Sequence, residues 1–430
     1  MAEFRTAFFT SYLANDPVII RTVLNERPDD FPKSDRIGAG LRPLLGRSVF
    51  LTNGEVWKRQ RRLIDPAFEG GRLRDTFPAM WAAGEAAVAR IAQLADGTPR
   101  DIEPETSHAA ADVIFRTLFS IPIENAVAAQ VFAQFRDHQR TQPILNLAAF
   151  IRGPRWMPRL HRRATLKTAR RIRALIEGLT AERAEAIAAR NAPDDLATKI
   201  MTATDPLTGQ GFDTAEMVDQ VAIFFLAGHE TSASALAWAI YLLSVNREWQ
   251  ERAAAEAQHL SPDFATLSRL RLTRDIFREA LRLYPPVPMM VRETTRAETF
   301  RNRPIAAGAQ IVLSPWHLHR HERLWDNPDG FDPGRWHTEN GRACARDAYM
   351  PFSAGPRVCT GAGFAMAEGV LLLAMLLRSF RFLPVEGREP VPVAHLTVRG
   401  KDGIWLRILP RETPDTEGAE VAAGPGVRGV

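Results

Sequence analysis

The sequence of 430 residues contains only two cysteines, Cys344 and Cys359, so a scaffold held together by several disulfides is excluded. A chain of this length buries enough apolar surface to fold without such cross-links. Because thiols stay free in reducing compartments, we expect a cytoplasmic protein.

Signals for secretion and for nucleic-acid binding are also missing. Residues 1–16 show no basic region followed by a long apolar core, so no signal peptide is predicted. The net charge is +5, but the chain has no lysine-rich run. The excess positive charge therefore indicates a face for an acidic protein partner, and no nucleic acid is expected.

One apolar run, residues 221–245, is long enough to cross a membrane. His229 and Glu230 lie in its middle, and we expect no second membrane span. A helix buried on all sides of a soluble protein explains this composition better than a membrane span does.

Helical patterning dominates the chain. Asp213 and Glu216 match a capping box, which predicts a helix running to about Arg247 and ~50 Å long. The other predicted elements are helices at 77–94, 109–119, 162–190, 247–258 and 272–283 and strands at 305–313, 394–398 and 403–409. We expect a mainly α protein with small β-sheets (α+β), one domain over residues 1–410 and a disordered tail over 411–430.

One cysteine lies in a loop of unusual composition, just before an apolar helix. Around Cys359 stand Phe352, Gly355, Arg357 and Gly361. Glycines let a backbone lie flat against a macrocycle, and amides at a helix N-terminus stabilise a thiolate. An isolated cysteine is more often a buried structural residue, but this context favours a ligand.

These five positions resemble the cysteine loop of the cytochrome P-450 family, the haem-thiolate monooxygenases. The resemblance implies the fold of that family, a single large helical domain with a long central helix over the haem. It also implies that Cys359 ligates the iron of haem b (iron protoporphyrin IX) and that the four neighbouring residues contact the cofactor.

A second motif lies in the middle of the long predicted helix. Residues Ala227 to Thr231, Ala-Gly-His-Glu-Thr, resemble the oxygen-activation segment of the family. By this resemblance Ala227 and Gly228 let the flat cofactor approach, Thr231 hydrogen-bonds dioxygen, and Glu230 supplies protons from solvent. The alternative is a core helix whose threonine bonds only its own turn.

Glu279 and Arg282 fit the ExxR motif of the same family. The pattern recurs elsewhere in the chain, but only here does it lie in an apolar helical run, where i and i+3 share a face. With Arg335, the resemblance implies a buried Arg–Glu–Arg group of structural function. Removing one member would strand a buried charge at a cost of ~3–5 kcal/mol.

Haem carries two propionates, which need cationic partners. Trp57 and Arg61, spaced i and i+4, resemble the propionate-binding helix of the family, and Arg292 and Arg357 stand at its other propionate positions. For any one arginine a solvated surface charge is the alternative. Three basic residues face outward on the same predicted helix: Lys58, Arg59 and Arg62. They are candidate docking charges for a redox partner, and a plain solvated face is the alternative.

Three closely spaced histidines, His317, His319 and His321, suggest a metal site. The metallo-hydrolase pattern HxHxDH is not met, because position 321 is histidine and position 322 is glutamate. We assign these histidines to structure.

The resemblance extends from about Tyr12 to Arg407 and implies a soluble, bacterial-type monooxygenase. It would insert one atom of O2 into an apolar small molecule, with electrons from a ferredoxin or flavodoxin and its NAD(P)H reductase. The predicted pocket, besides Ala227, is lined by Phe224, Met289, Met290 and Val291.

The sequence departs from the family at its front. Only about ten residues precede the segment resembling that of the family at 11–24, so the usual N-terminal helix and strand are expected to be missing. Two alternatives to the monooxygenase stay open: a peroxide-driven peroxygenase on the same fold, and a haem-binding sensor or carrier without turnover.

Overall fold

The computed structural model describes residues 1–5, 10–69, 71–141 and 161–411. The tail predicted at 411–430 therefore lies, apart from Arg411, outside the described residues. The α-helices are α1 Pro17–Arg21, α2 Asp35–Leu45, α3 Gly54–Ile64, α4 Arg72–Ala92, α5 Glu103–Phe119, α6 Ala126–Thr141, α7 Arg163–Ala188, α8 Leu196–Thr202, α9 Thr214–Val245, α10 Arg247–Ala257, α11 Thr266–Arg269, α12 Arg271–Leu283, α13 Pro315–Leu318, α14 Glu339–Asp347 and α15 Ala362–Ser379.

The strands are short. They are β1 Ala2–Arg5, β2 Thr10–Ala14, β3 Pro99–Asp101, β4 Met290–Glu293, β5 Glu298–Phe300, β6 Arg303–Ile305, β7 Gln310–Leu313, β8 Phe380–Pro384, β9 Pro392–Ala394, β10 Val398–Gly400 and β11 Trp405–Pro410. The largest sheet has the order β1-β2-β7-β4, with β2 parallel to β7 and the other pairs antiparallel. Across this sheet Leu13, Val312 and Val291 lie side by side. The other sheets are β3-β11-β8 and the hairpins β5-β6 and β9-β10.

Helix α9 begins where the capping box predicts. The Asp213 carboxylate accepts a hydrogen bond from the Glu216 amide at 2.7 Å, and the Glu216 carboxylate accepts one from the Asp213 amide at 3.2 Å. The helix ends at Val245, because Asn246 leaves the helical conformation before α10 starts at Arg247. Its 32 residues make it about 48 Å long.

Helix α9 is also the centre of the packing. It contacts α5, α7, α12 and α15. Its first half, including Val221 and Phe225, belongs to a buried apolar cluster with α5, α6 and α7. Its second half, including Trp238 and Ile240, belongs to a cluster with α12 and α15. The middle of α9 lies between the two clusters.

The prediction of a mainly α fold with small sheets is confirmed, whereas some local predictions are wrong. Residues 305–313 are not one strand, since Gly308 adopts a φ of 75° and turns the chain between β6 and β7. The strand predicted at 394–398 is the turn of the β9-β10 hairpin. Residues before Ser11, expected to lack a strand, form β1 and pair with β2.

Among the described helices, one is long and apolar enough to cross a membrane by composition alone, and it is α15. Of its 18 residues, 67% are buried inside the protein, as in the core helix of a globular protein. The apolar run at 221–245 lies in α9 and is buried along most of its length.

Helices α12 and α15 approach so closely that Gly369 tolerates no side chain. A Cβ built there would lie 2.1 Å from the Cζ atom of Phe277, whereas one on Gly178 of α7 would meet no atom within 4 Å. We therefore predict that Gly369→Ala destabilises the protein by about 1–3 kcal/mol through overpacking. By contrast, Gly178→Ala stabilises it by roughly 0.5–1 kcal/mol, because alanine favours a helix.

Thermal unfolding of the two variants beside the wild type checks this prediction. Opposite shifts of the midpoint are expected. Equal shifts of the same sign would contradict the close approach of α12 and α15.

Candidate active site

The loop that carries Cys359 is shaped by its contacts with another part of the chain. The Cys359 amide donates to the Phe352 carbonyl at 2.9 Å, which closes the loop. Gly355 has a φ of +65°, and a Cβ there would lie 2.0 Å from the carbonyl oxygen of Leu24. Gly355 is therefore required by this backbone contact. A Cβ on Gly361 would meet no atom within 4 Å, so the backbone beside the cysteine is open.

Cys359 is an exposed residue, although protein atoms enclose much of the surroundings of its thiol. That enclosure raises the pKa of its thiol, while the Gly361 amide and the charge of Arg61 act in the opposite direction. The expected stabilisation of a thiolate by helix amides is thus present but outweighed. Binding of a metal ion would remove the proton.

The middle of α9 presents one accessible face in an otherwise buried helix. Phe224, Ala227, Gly228 and Thr231 are accessible, whereas the residues between them are buried. Positions i, i+3, i+4 and i+7 share a helix face, so these four residues form one stripe. Its composition is apolar except for the hydroxyl of Thr231.

An aromatic contact connects this stripe to the cysteine loop. The ring of Phe68 lies 5.9 Å from that of Phe224 on α9 and 6.5 Å from that of Phe364, in the first turn of α15. Phe68 thus joins the stripe to the start of the helix that follows the cysteine loop, more than a hundred residues away in the sequence.

The sequence assigns Gly228 to the close approach of the cofactor, but the structure shows a further requirement for a glycine there. A Cβ there would lie 2.5 Å from Cδ1 of Ile114 on α5, so the glycine allows two helices to pack closely. Thr231 donates its hydroxyl proton to the Ala227 carbonyl at 2.7 Å. Its oxygen remains free to accept a hydrogen bond from a molecule on the stripe.

Glu230, predicted to supply protons from solvent, is buried. Its side chain is 5% exposed and lies beside the stripe, bonded to donors from three elements. Arg399 reaches Oε1 at 2.9 Å and Thr397 reaches Oε2 at 3.0 Å. The amide of Gln139 on α6 is a third donor. Proton delivery by Glu230 therefore requires it to leave this ion pair.

Sequence reasoning missed a second buried acid near Thr231. Glu368 of α15 accepts a hydrogen bond from Ser232 at 2.7 Å, and its Oε1 has no partner among the described residues. Complete burial raises the pKa of Glu368 to about 8, so this carboxyl is protonated at neutral pH. Its sequence context, the apolar run of α15, gives no sign of this contact.

Basic side chains gather around Trp57 beside the cysteine loop. The charged ends of Lys33, Arg61 and Arg357 lie 5.6, 5.8 and 5.0 Å from its ring centroids. Arg292, on β4, is backbone-bridged to Lys33. Three of the four were predicted to gather here, whereas Lys33 stands in no motif that would have indicated it.

The cations of this cluster are short of carboxylates. Arg61 is paired with Asp65 at 2.7 Å, and Arg357 lies 3.9 Å from Asp29. In the described part of the chain, neither Lys33 nor Arg292 forms an ion pair, and the Nε atoms of Arg292 and Arg357 have no hydrogen-bond partner.

Burial and mutual repulsion lower the pKa values of two cations in this cluster. Burial, with the neighbouring charges of Arg292, Arg357 and Arg61, lowers the pKa of Lys33 to about 6. Burial and Arg357 lower the pKa of Arg292 to about 10. A bound anion would relieve both effects, so the cluster fits a ligand with negative groups.

The ExxR residues form one buried group with Arg335. Glu279 accepts from Arg282 at 2.8 and 3.0 Å and from Arg335 at 2.8 Å, and all three are nearly inaccessible. Both arginines also donate to backbone carbonyls, including that of Gly330 at 2.8 and 2.9 Å. Every charge has partners, as a buried ion group requires.

His319 connects this group to the segment before the cysteine loop. Its Nε2 accepts from the Met350 amide at 2.9 Å, which leaves Nδ1 to donate to the Arg282 carbonyl at 3.1 Å. Burial lowers the pKa of His319 to about 3, so the ring is neutral. No group of three His, Cys, Asp or Glu side chains suited to a metal ion occurs among the described residues.

Two sets of predicted residues are placed differently from expectation. Met290 packs against the buried cluster of the four-stranded sheet instead of the stripe, while Met289 is 45% exposed and Val291 is half-buried in β4. The assignment of Met289, Met290 and Val291 to the pocket stays a prediction.

The predicted docking charges on α3 are mostly neutralised. Arg59 pairs with Glu216 at 2.8 Å, and Arg62 pairs with the buried Asp205 at 2.6 Å. These pairs tie α3 to the start of α9 and to the loop before it. Lys58 is the most exposed of the three and lies 3.0 Å from Glu55.

Comparison with known proteins decides the family. The model of the family described as cytochrome P450 matches residues 8–407. The chain belongs to the cytochrome P450 family. It is an oxidoreductase, a haem-thiolate monooxygenase, and the resemblance seen in its cysteine loop is confirmed.

Relatives of this P450 include proteins of a bacterium and of a plant. Cyclooctat-9-en-7-ol 5-monooxygenase of Streptomyces melanosporofaciens is 33% identical, covering 90% of this chain and 83% of the relative. Cyclooctatin synthase of the same organism is 31% identical, covering 92% and 86%. 11-oxo-beta-amyrin 30-oxidase of Glycyrrhiza uralensis is 30% identical, covering 91% and 77%.

Solved structures agree. The crystal structure of the cytochrome P450DA heme domain aligns with a TM-score of 0.82 and 25% identity, covering 95% of this chain and 90% of that one.

The residues present fit the haem that this family implies. The accessible thiol of Cys359 can ligate iron, the open backbone at Gly361 leaves room for a flat ring, and the cation cluster matches two propionates. Lys33, Arg292 and Arg357, with unmet charge or hydrogen-bonding capacity, would hold the propionates.

Lys33 gives a prediction about haem retention and pH. A lysine whose pKa is lower in the folded than in the unfolded chain destabilises the fold fully below the folded-state pKa, and this penalty disappears as the pH rises to the unfolded-state pKa. Stability of the haem-free protein should therefore rise as pH increases from about 6 toward 10, and Lys33→Met should flatten that rise. The variant should also lose haem at least about tenfold faster, since a charge-assisted bond is lost.

The measurements are thermal unfolding of the haem-free protein against pH and transfer of haem to an excess of a scavenging globin. Lys401→Met, which removes an exposed lysine, is the control and should match the wild type. Wild-type haem loss in Lys33→Met would exclude Lys33 from the propionate site.

Proposed function

We propose that this P450 uses haem b to insert one atom of O2 into an apolar organic substrate, with electrons from a separate ferredoxin or flavodoxin and its NAD(P)H reductase. The observation that carries the substrate class is the stripe on α9, which is apolar apart from one hydroxyl. The relatives named for oxidation of cyclooctat-9-en-7-ol and 11-oxo-beta-amyrin support an organic substrate. A cytoplasmic location, with no membrane association, is part of the proposal.

When bound, haem supplies the activation of O2, and a thiolate ligand favours O–O cleavage. The chain's own residues position the bound molecules and deliver protons to them. Thr231, whose proton is engaged by the Ala227 carbonyl, accepts a hydrogen bond on the stripe. Glu230 is the nearest charged group to it in sequence and delivers protons once it leaves Arg399.

The redox partner is proposed to bind the face that carries the cysteine loop. Lys58 and the apolar side chain of Val358, which is 38% exposed, are accessible there. Since Arg59 and Arg62 are engaged in ion pairs, they contribute less to docking than the sequence suggests.

The ligand assignment has a direct test in the spectrum of the ferrous protein with carbon monoxide. We predict a strongly red-shifted Soret band for the wild type, because the thiolate of Cys359 would ligate the iron. Cys359→Ala should abolish it. Cys344→Ala, which removes the other thiol, buried against the Leu324 carbonyl, should retain it. An unshifted wild-type band would refute thiolate ligation.

The catalytic use of Thr231 separates the monooxygenase from its alternatives. In Thr231→Ala, the fraction of consumed O2 that appears in product should fall at least about tenfold, because a positioned hydroxyl in proton transfer is lost. Thr231→Ser keeps the hydroxyl and should retain most of the coupling. The measurement is product formed per O2 consumed with reductant and ferredoxin.

Unchanged coupling in Thr231→Ala would contradict the role of Thr231. A wild-type holoenzyme that forms no product would favour a haem-binding sensor or carrier without turnover. A peroxygenase would form product faster with peroxide than with reductant and ferredoxin. The acid–threonine pair at Glu230 and Thr231 argues against that alternative.

A further inference from the structure

Glu103, the first residue of α5, has no function in the proposed chemistry, yet it faces the ion pair of Glu230. Its side chain is 12% exposed, compared with 5% for that of Glu230. The backbone amide of Gly400 donates to its Oε1 at 3.1 Å. This bond places Glu103 against β10, the strand that also carries Arg399.

Arg399 lies between the two carboxylates. One terminal nitrogen is 2.9 Å from Oε1 of Glu230, and the other is 4.0 Å from Oε1 of Glu103. The guanidinium therefore bonds Glu230 directly and lies within ion-pair reach of Glu103. A single positive charge serves two acids from different helices.

The charged groups around Glu103 disfavour its ionisation. Burial raises its pKa to about 7, and the negative charges of Asp101 on β3 and Glu230 on α9 add to this, against Arg399 and the Gly400 amide. His229, 3.8 Å from Glu230, adds no positive charge, because burial lowers the pKa of its ring. Glu103 thus changes charge close to neutral pH.

We propose that Glu103 controls, through Arg399, how firmly Glu230 is held in its ion pair, and so makes proton delivery by Glu230 depend on pH. When Glu103 is protonated, Arg399 pairs with Glu230 alone and holds it beside Thr397. When Glu103 is ionised, it competes for Arg399, and the side chain of Glu230 is freed to turn toward Thr231. Glu103 is a positioning residue, and this inference rests on the proposed function of Glu230.

The test is the pH dependence of product formed per O2 consumed in the holoenzyme. In the wild type this ratio should rise across about pH 7, where Glu103 ionises. In Glu103→Gln it should stay near its low-pH value, roughly fivefold below the wild type in mildly alkaline buffer. Glu103→Asp, which keeps a carboxylate, should restore the rise.

Glu105→Gln is the matched control, since it removes the same charge from the same turn of α5. Its carboxylate pairs with Arg90 and not with Arg399, so the wild-type profile should persist. The infrared difference spectrum between wild type and Glu103→Gln gives a readout without turnover. A protonated-carboxyl band should disappear from it as pH rises through about 7.

Product formation with an unchanged pH profile in Glu103→Gln would overturn the inference and leave the monooxygenase function intact. The absence of the titrating infrared band would overturn it as well. A wild-type holoenzyme that forms no product would overturn both the inference and the proposed function, and that result is distinguishable from the other two.

Discussion

Positive charge buried without enough negative charge is the constraint on which this site depends. Lys33 and Arg292 lie beside the cysteine loop with no ion-pair partner among the described residues, and the carboxylate near Arg357 is 3.9 Å away. Such a cluster costs free energy in the isolated chain. It becomes favourable when a dianion enters, so the protein is built to fold around its cofactor, and binding energy adds to its stability.

The buried charges of the ExxR group, by contrast, are fully balanced. Glu279, Arg282 and Arg335 are buried with every charge paired and with backbone carbonyls saturating both guanidinium groups. His319 extends that network to Met350, shortly before the cysteine loop. The fully paired group of Glu279, Arg282 and Arg335 fixes the backbone that leads to Cys359. The cation cluster around Trp57, by contrast, has free capacity to bind an anion. The ExxR group is therefore structural, whereas the cation cluster is suited to binding, because only the first has balanced charges.

The sequence predicted the elements whose signals are local. The capping box at Asp213 and Glu216 located the start of α9, and five fixed positions around Cys359 identified the family. It could not predict contacts between distant segments. Nothing local links Glu230 to Arg399, Gly228 to Ile114 or Lys33 to Trp57, because each pair is brought together only by packing. The ion pairs of Arg59 and Arg62 were unpredictable for the same reason, since their acidic partners come from other elements.

X-ray absorption at the iron edge of the purified ferric protein tests the central claim most directly, because it reads the ligand atoms without substrate or redox partner. We expect one sulfur scatterer in the first coordination shell together with the four nitrogens of the macrocycle, and loss of the sulfur in Cys359→Ala. A shell of nitrogen and oxygen only in the wild type would contradict it.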